Sequence, residues 1–129
     1  MSEIDIYVVP PQKYPRTVAR DISSTPSLHQ IIDFPGIGDP LYQGGIWVSF
    51  MANVDWYPIF RTAENTDPGD IPDPDPAARG TDEHQCFRIP ANFELQRKID
   101  FRSNHFKVVS VDDGVLRWHV ASYDNYAID

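Results

Sequence analysis

Two bursts of alternating apolar and polar positions, His105 to Val111 and Val115 to Tyr123, flank an Asp113-Gly114 pair near the C-terminal end of the chain. Both are rich in β-branched and aromatic residues, and Asp-Gly can supply the two positive φ angles of a type I′ turn. The pattern therefore predicts a β-hairpin. With Asp112 opposite Val115, the pairs run Val111 with Leu116, Ser110 with Arg117, Val109 with Trp118 and Val108 with His119. Alternation then places Val109, Val111, Leu116, Trp118 and Val120 on the core face and Ser110, Arg117 and His119 on the other. On this register His105 and His119 project from opposite faces, so they cannot share a metal ion or form an acid/base pair unless a bulge resets the alternation.

The same period predicts more strands upstream. Glu3 to Val9 alternates and stops at Pro10-Pro11, after which the chain reads as extended and irregular to about Ile22. Ile46 to Arg61 is too long for one ordinary strand, and Asn53-Val54-Asp55 offers a reversal, so a second hairpin is expected with Ile46, Val48, Phe50 and Ala52 on its apolar face. Cys86 to Ile89 and Phe93 to Phe101 read as further strands, the second with Phe93, Leu95, Ile99 and Phe101 on one face. Leu28, Ile31 and Ile32 fit a short helix capped around Ser24-Thr25-Pro26 and fit a strand equally well. Pro35 to Pro40 and Gly44-Gly45 are turn-rich. About seven strands without β-α-β alternation predict an all-β fold, either an antiparallel β-sandwich of jelly-roll-like form or a small barrel. The strand pattern is the same for both.

Length and composition change the picture only in outline. The 129 residues suit a single β domain spanning 1–129, with 1–25 a partly extended N-terminal arm and 63–84 an acidic, proline-rich loop. The 12 prolines are spread so widely that no long helix fits between them. A lone cysteine, Cys86, rules out an internal disulfide. No apolar run approaches the roughly 18 residues that span a bilayer, and the first residues lack a signal-peptide pattern. A soluble protein without membrane insertion is the expectation, with its compartment open.

Charge is concentrated rather than spread. Residues 64–83 hold seven acidic side chains against Arg79, a net of −6 out of −8 for the chain, and leave 12 acids against 10 bases elsewhere. Alternating Asp-Pro disfavours helix and central strand. Such a loop reads as a solvated excursion, as an arm ordered by a basic partner, or as a calcium site built from the hard oxygens of Asp67, Asp70, Asp73 and Asp75. The EF-hand spacing is absent. The 11 Lys and Arg are dispersed, with Arg97-Lys98 the only adjacent pair, which disfavours direct nucleic-acid binding.

Candidate chemistry is sparse. No nucleotide loop, metal-ligand spacing or nucleophile motif occurs, and no cofactor is implied. Cys86 and His84 sit two residues apart, but a zinc site needs more ligands, and the bland reading is a small strand residue beside an exposed loop histidine. Asp55, Glu94 and Asp100 are carboxylates that spacing alone does not pair. Trp47, Asn53, Asp55, Trp56 and Tyr57 crowd one predicted hairpin, and aromatic faces beside amides and carboxylates are what a glycan site uses. Tyr123 and Tyr126 mark an aromatic tail suited to docking on a neighbour. The expectation is a non-enzymatic structural or interaction module that assembles with other protein subunits through loops and arms, in the style of a virus or phage particle component. A carbohydrate-binding, lectin-like module is the alternative, and an acidic inhibitor of a nucleic-acid-binding protein a further one.

Overall fold

The structure is a computed structural model and describes residues 17–32, 46–60, 67–100 and 102–123. Among them, seven strands appear in the order β1 (Val18–Ile22), β2 (Ser27–Gln30), β3 (Ile46–Ala52), β4 (Trp56–Phe60), β5 (Leu95–Ile99), β6 (His105–Ser110) and β7 (Gly114–Tyr123). One sheet has the order β1-β7-β3-β5 and the other β2-β6-β4, with every pairing antiparallel. The fold is all-β and sandwich-like, two separate sheets rather than one closed barrel. Among the described residues no helix is long and apolar enough to cross a membrane.

Both predicted hairpins are corrected by this order. β6 pairs with β2 and β4, whereas β7 pairs with β1 and β3, so Val111-Asp112-Asp113 carries the chain from one sheet to the other. Four Cα steps reach up to about 14 Å, enough to cross the roughly 10 Å between stacked sheets. A link this short therefore suits a hairpin or a crossing, and the period of two cannot separate them. Packing decides: Phe106, Val108 and Ser110 are the inward residues of β6, while Val111 is 66% exposed at the corner. Leu116 and Trp118 point inward as expected, and Val109 is buried on the opposite face of β6.

The turn chemistry differs accordingly. Among the described residues only Asn92 and Gly80 have positive φ, so Asp113-Gly114 is not a type I′ turn. Gly114 is needed for another reason: a Cβ there would run into Val54 Cγ2 and lie 2.7 Å from Asn53 Oδ1. Asn53-Val54-Asp55 also crosses between sheets, from β3 to β4, and the two corners are tied together. The Val115 amide donates to Asn53 Oδ1 at 2.8 Å, and the Ser110 hydroxyl donates to the Asp112 carbonyl at 2.8 Å.

Other expectations shift in extent. Val18–Ile22 belongs to the edge of the four-stranded sheet along β7, so the irregular stretch ends earlier than Ile22. Ser27–Gln30 is a strand, not a helix, because it pairs with β6. Cys86–Ile89 is not a strand; only Ile89 forms an isolated bridge, to Trp56. The predicted strand at Glu3 to Val9, the Pro35 to Pro40 and Gly44-Gly45 turns, Glu64, Phe101 and Tyr126 lie outside the described residues.

The core is an aromatic layer. Phe50 of β3 meets Trp56 at 6.0 Å, Phe106 at 5.7 Å and Trp118 at 5.8 Å between ring centroids. Fully burying each such side chain stabilises the fold by about 1.5–3 kcal/mol. His105 lies on the outer face of β6, beside inward Phe106, and His119 on the exposed outer face of the other sheet. The two histidines are thus separated by the whole sandwich, a stronger reason than the hairpin register for their not acting together.

Candidate functional site

β4 and β5 are edge strands on the same side of the sandwich, and Pro58 explains what happens between them. The Trp56 amide donates to the Ile89 carbonyl at 3.0 Å and the Ile89 amide returns a bond to Trp56 at 2.9 Å. Trp56 therefore aims its backbone groups away from β6, and by alternation so does Pro58. Pro58 costs the β4–β6 ladder nothing, but it has no N–H to continue the Trp56–Ile89 ladder. The partner that a second pair would need is Phe87. The chain instead peels away there, leaving Phe87 80% exposed.

The separation leaves a cleft of about 540 Å³, lined chiefly by Pro58, Phe60, Phe87, Ile89, Leu95 and Arg97. That volume is in the range of ligand and peptide pockets. Asp55 holds one wall in place, accepting from Arg88 Nε at 3.1 Å and from the Ala91 amide at 2.8 Å. Asn92 turns the chain with φ of 61°, a left-handed conformation that asparagine tolerates.

Arg97 is the unusual residue of the cleft. It sits opposite inward-facing Val48 on β5, between Leu95 and buried Ile99, on the face that alternation assigns to the interior. Its guanidinium stacks 4.3 Å over the Phe60 ring, a cation–π contact. Its Nε is buried without a hydrogen-bond partner, and no carboxylate among the described residues pairs with it. Burial lowers its pKa from the ordinary value. Arg97, Phe87 and Pro58 were not singled out from the sequence, although a charge interrupting Leu95-x-x-x-Ile99 and a proline inside an apolar strand were visible signals.

The residues of the expected glycan site are only partly brought together. Asn53, Asp55 and Tyr57 border a second cleft of about 450 Å³ with Asp112. Trp56 is fully buried in the core and presents no face to a sugar. Trp47 is half-buried on the outer face of the other sheet, with Lys98 and Ser122 as its cross-strand neighbours. Tyr123 ends β7, its backbone opposite Ile46. A different polar group is assembled instead: the Ser49 hydroxyl donates to Glu94 and holds that carboxyl below its usual range, with His119 across from Ser49 on β7. The serine proton is directed to Glu94. Asp100 accepts from the Arg102 and Ser103 amides in a turn.

Comparison with protein-family models, with curated proteins and with solved structures found no match to this chain. The cleft therefore has to be read from its own residues.

The acidic segment is folded where it is described. Pro68–Asp70 makes a 3₁₀ turn, and Ile71, Pro74 and Ala78 are buried. Lys107, on the outer face of β6, pairs with Asp73 at 3.1 Å, and the Ala77 amide donates to Asp75 Oδ1 at 2.9 Å. Asp67, Asp70, Asp73 and Asp75 are not gathered: among the described residues no group of three or more His, Cys, Asp and Glu side chains is placed to hold a metal. Cys86 is half-buried in the cleft wall, and desolvation pushes its thiol above the ordinary range.

His84 ties the segment to itself. Its Nδ1 donates to the Asp73 carbonyl at 2.8 Å, and that bond, aided by Asp82, Glu83 and Asp73, raises its pKa against a smaller opposing effect of burial. A raised folded value means that the favourable interaction is fully present below the unfolded pKa and is lost as pH rises through the folded one. A proton NMR titration of the ring should give a midpoint above 6.5. A midpoint at or below that value would show the Asp73 contact to be absent in solution.

Proposed function

We propose that this protein is a non-enzymatic interaction module that assembles with further copies of itself through the β4–β5 cleft, as subunits of a particle do. The carrying observation is Phe87, 80% exposed at an apolar cleft in which Phe60, Ile89 and Leu95 also take part. Large exposed aromatics beside a pocket are what interface anchors look like before their partner arrives. Charge favours a second copy as the occupant: the cleft lining includes Arg97, which no described carboxylate pairs, and no acid, on a chain of net −8. One copy's cleft receiving a different surface of the next is a heterologous contact, which closes into rings or continues as a filament.

Light scattering on the freshly purified protein tests this. The native mass should exceed the 14.7 kDa of one chain, and Phe87→Ser should return it to the monomer without loss of folded structure. A wild-type protein that stays monomeric at high concentration removes this reading.

A further inference from the structure

The cleft contains a cation that no carboxylate of the described fold neutralises. An arginine on the inward face of a strand loses hydration, and its cost is ordinarily offset by a carboxylate within the protein. Here Arg88, on the same wall, has such a partner in Asp55, whereas among the described residues Arg97 meets the face of Phe60 and its buried Nε has no acceptor. Leucine or valine at this position would continue the Leu95 and Ile99 pattern and close the cleft more cheaply.

Resting on the reading of the cleft as a docking site, we infer that Arg97 is the recognition residue for a carboxylate on the incoming segment. The segment is an extended apolar stretch of the second copy that bears an Asp or Glu, with flanking aliphatic or aromatic side chains against Phe87, Ile89 and Leu95. Side chains must carry most of the specificity. Pro58 interrupts the β4 edge, so a continuous main-chain ladder along β4, the usual means of strand addition, is denied to an occupant. A carboxylate meeting the planar guanidinium in a partly dehydrated cleft forms a charge-assisted bond, stronger than the neutral bond an amide would offer.

Cys86 provides a local reporter, since its half-buried thiol lies in the cleft wall. The rate of Cys86 alkylation by iodoacetamide in the full-length wild-type protein, diluted until light scattering shows the monomer, would be followed against two probes, acetyl-Val-Ile-Glu-Ile-Phe-amide and its Glu→Gln counterpart. The same titration would be run in Arg97→Gln and in Arg97→Lys, each checked for fold by circular dichroism. The glutamate peptide is expected to protect the thiol at about ten-fold lower concentration than the glutamine peptide, as one charged hydrogen bond implies. Arg97→Gln should abolish that preference and Arg97→Lys should retain part of it.

Equal protection by the two peptides overturns the role of Arg97 and leaves the docking reading standing, because the cleft would then be selecting apolar bulk alone. Protection by neither, in a wild-type protein whose oligomer depends on Phe87, also overturns the role of Arg97 alone. Because the Glu→Gln comparison alters only the peptide, it remains decisive if an Arg97 variant does not fold.

Discussion

Trp118→Ala is expected to lower the free energy of unfolding by about 3–5 kcal/mol, the range for truncating a large buried aromatic. Trp118 is 2% exposed, packs on Phe106 at 5.4 Å and on Phe50 at 5.8 Å, and so joins β7 to both β3 and β6 across the layer. Its Nε1 also donates to the Ile31 carbonyl at 3.0 Å, at the end of β2. Truncation therefore opens a cavity and strands a carbonyl in one step. Trp118→Phe separates the two, since it keeps most of the apolar volume and removes only the donor. Urea denaturation of the three proteins measures both effects, and the order expected in midpoint is wild type, then Trp118→Phe, then Trp118→Ala. An alanine variant that loses less than about 1 kcal/mol would mean that the aromatic layer is not packed as described.

Asn104→Ala is the second large effect, about 2–5 kcal/mol, and its cause is polar. Asn104 is 3% exposed, accepts from the Ile32 amide at 2.9 Å and donates to the Ile32 carbonyl at 2.7 Å. Its own carbonyl accepts from the Ile31 amide at 2.9 Å. The side chain thus serves as a short piece of ladder for a segment just past β2. Alanine leaves a buried N–H and C=O of Ile32 without partners, each costing about 1–3 kcal/mol. Because Trp118 and Asn104 both hold the Ile31-Ile32 pair, the double variant should fall short of the summed losses by about 0.5–3 kcal/mol. Strict additivity in the urea series would show that the two bonds act on independent elements.

Pro58 and Phe87 of the cleft are silent in the sequence, each for its own physical reason. Pro58 looked like one proline among many, and its meaning depends on which edge of β4 its missing N–H faces. Phe87 looked like a strand residue because Cys86-x-x-Ile89 alternates, yet the ladder that would have paired it stops at Pro58. Arg97 falls on the apolar face of β5, and a charged residue on that face is itself the signal. Among the residues that were singled out, Asn53, Asp55 and Tyr57 do share a cleft, but Trp56 contributes its bulk to the core and Trp47 belongs to the other sheet. Clustering along the chain is weak evidence of clustering in space when a connection crosses between layers.

What the chain determined by itself is the all-β character, the positions of β3, β5, β6 and β7 to within a few residues, and the inward faces of β3 and β7. These depend on local quantities: β-branched and aromatic content, a period of two, and prolines that exclude long helices. The pairing of strands, the inward face of β6 and the cleft were decided only in the tertiary structure. A two- or three-residue link has the reach for either a hairpin or a crossing, and the choice is made by which apolar faces can be buried together. Here Phe106 and Val108 find Phe50 and Trp118 only if β6 lies in the opposite sheet from β7.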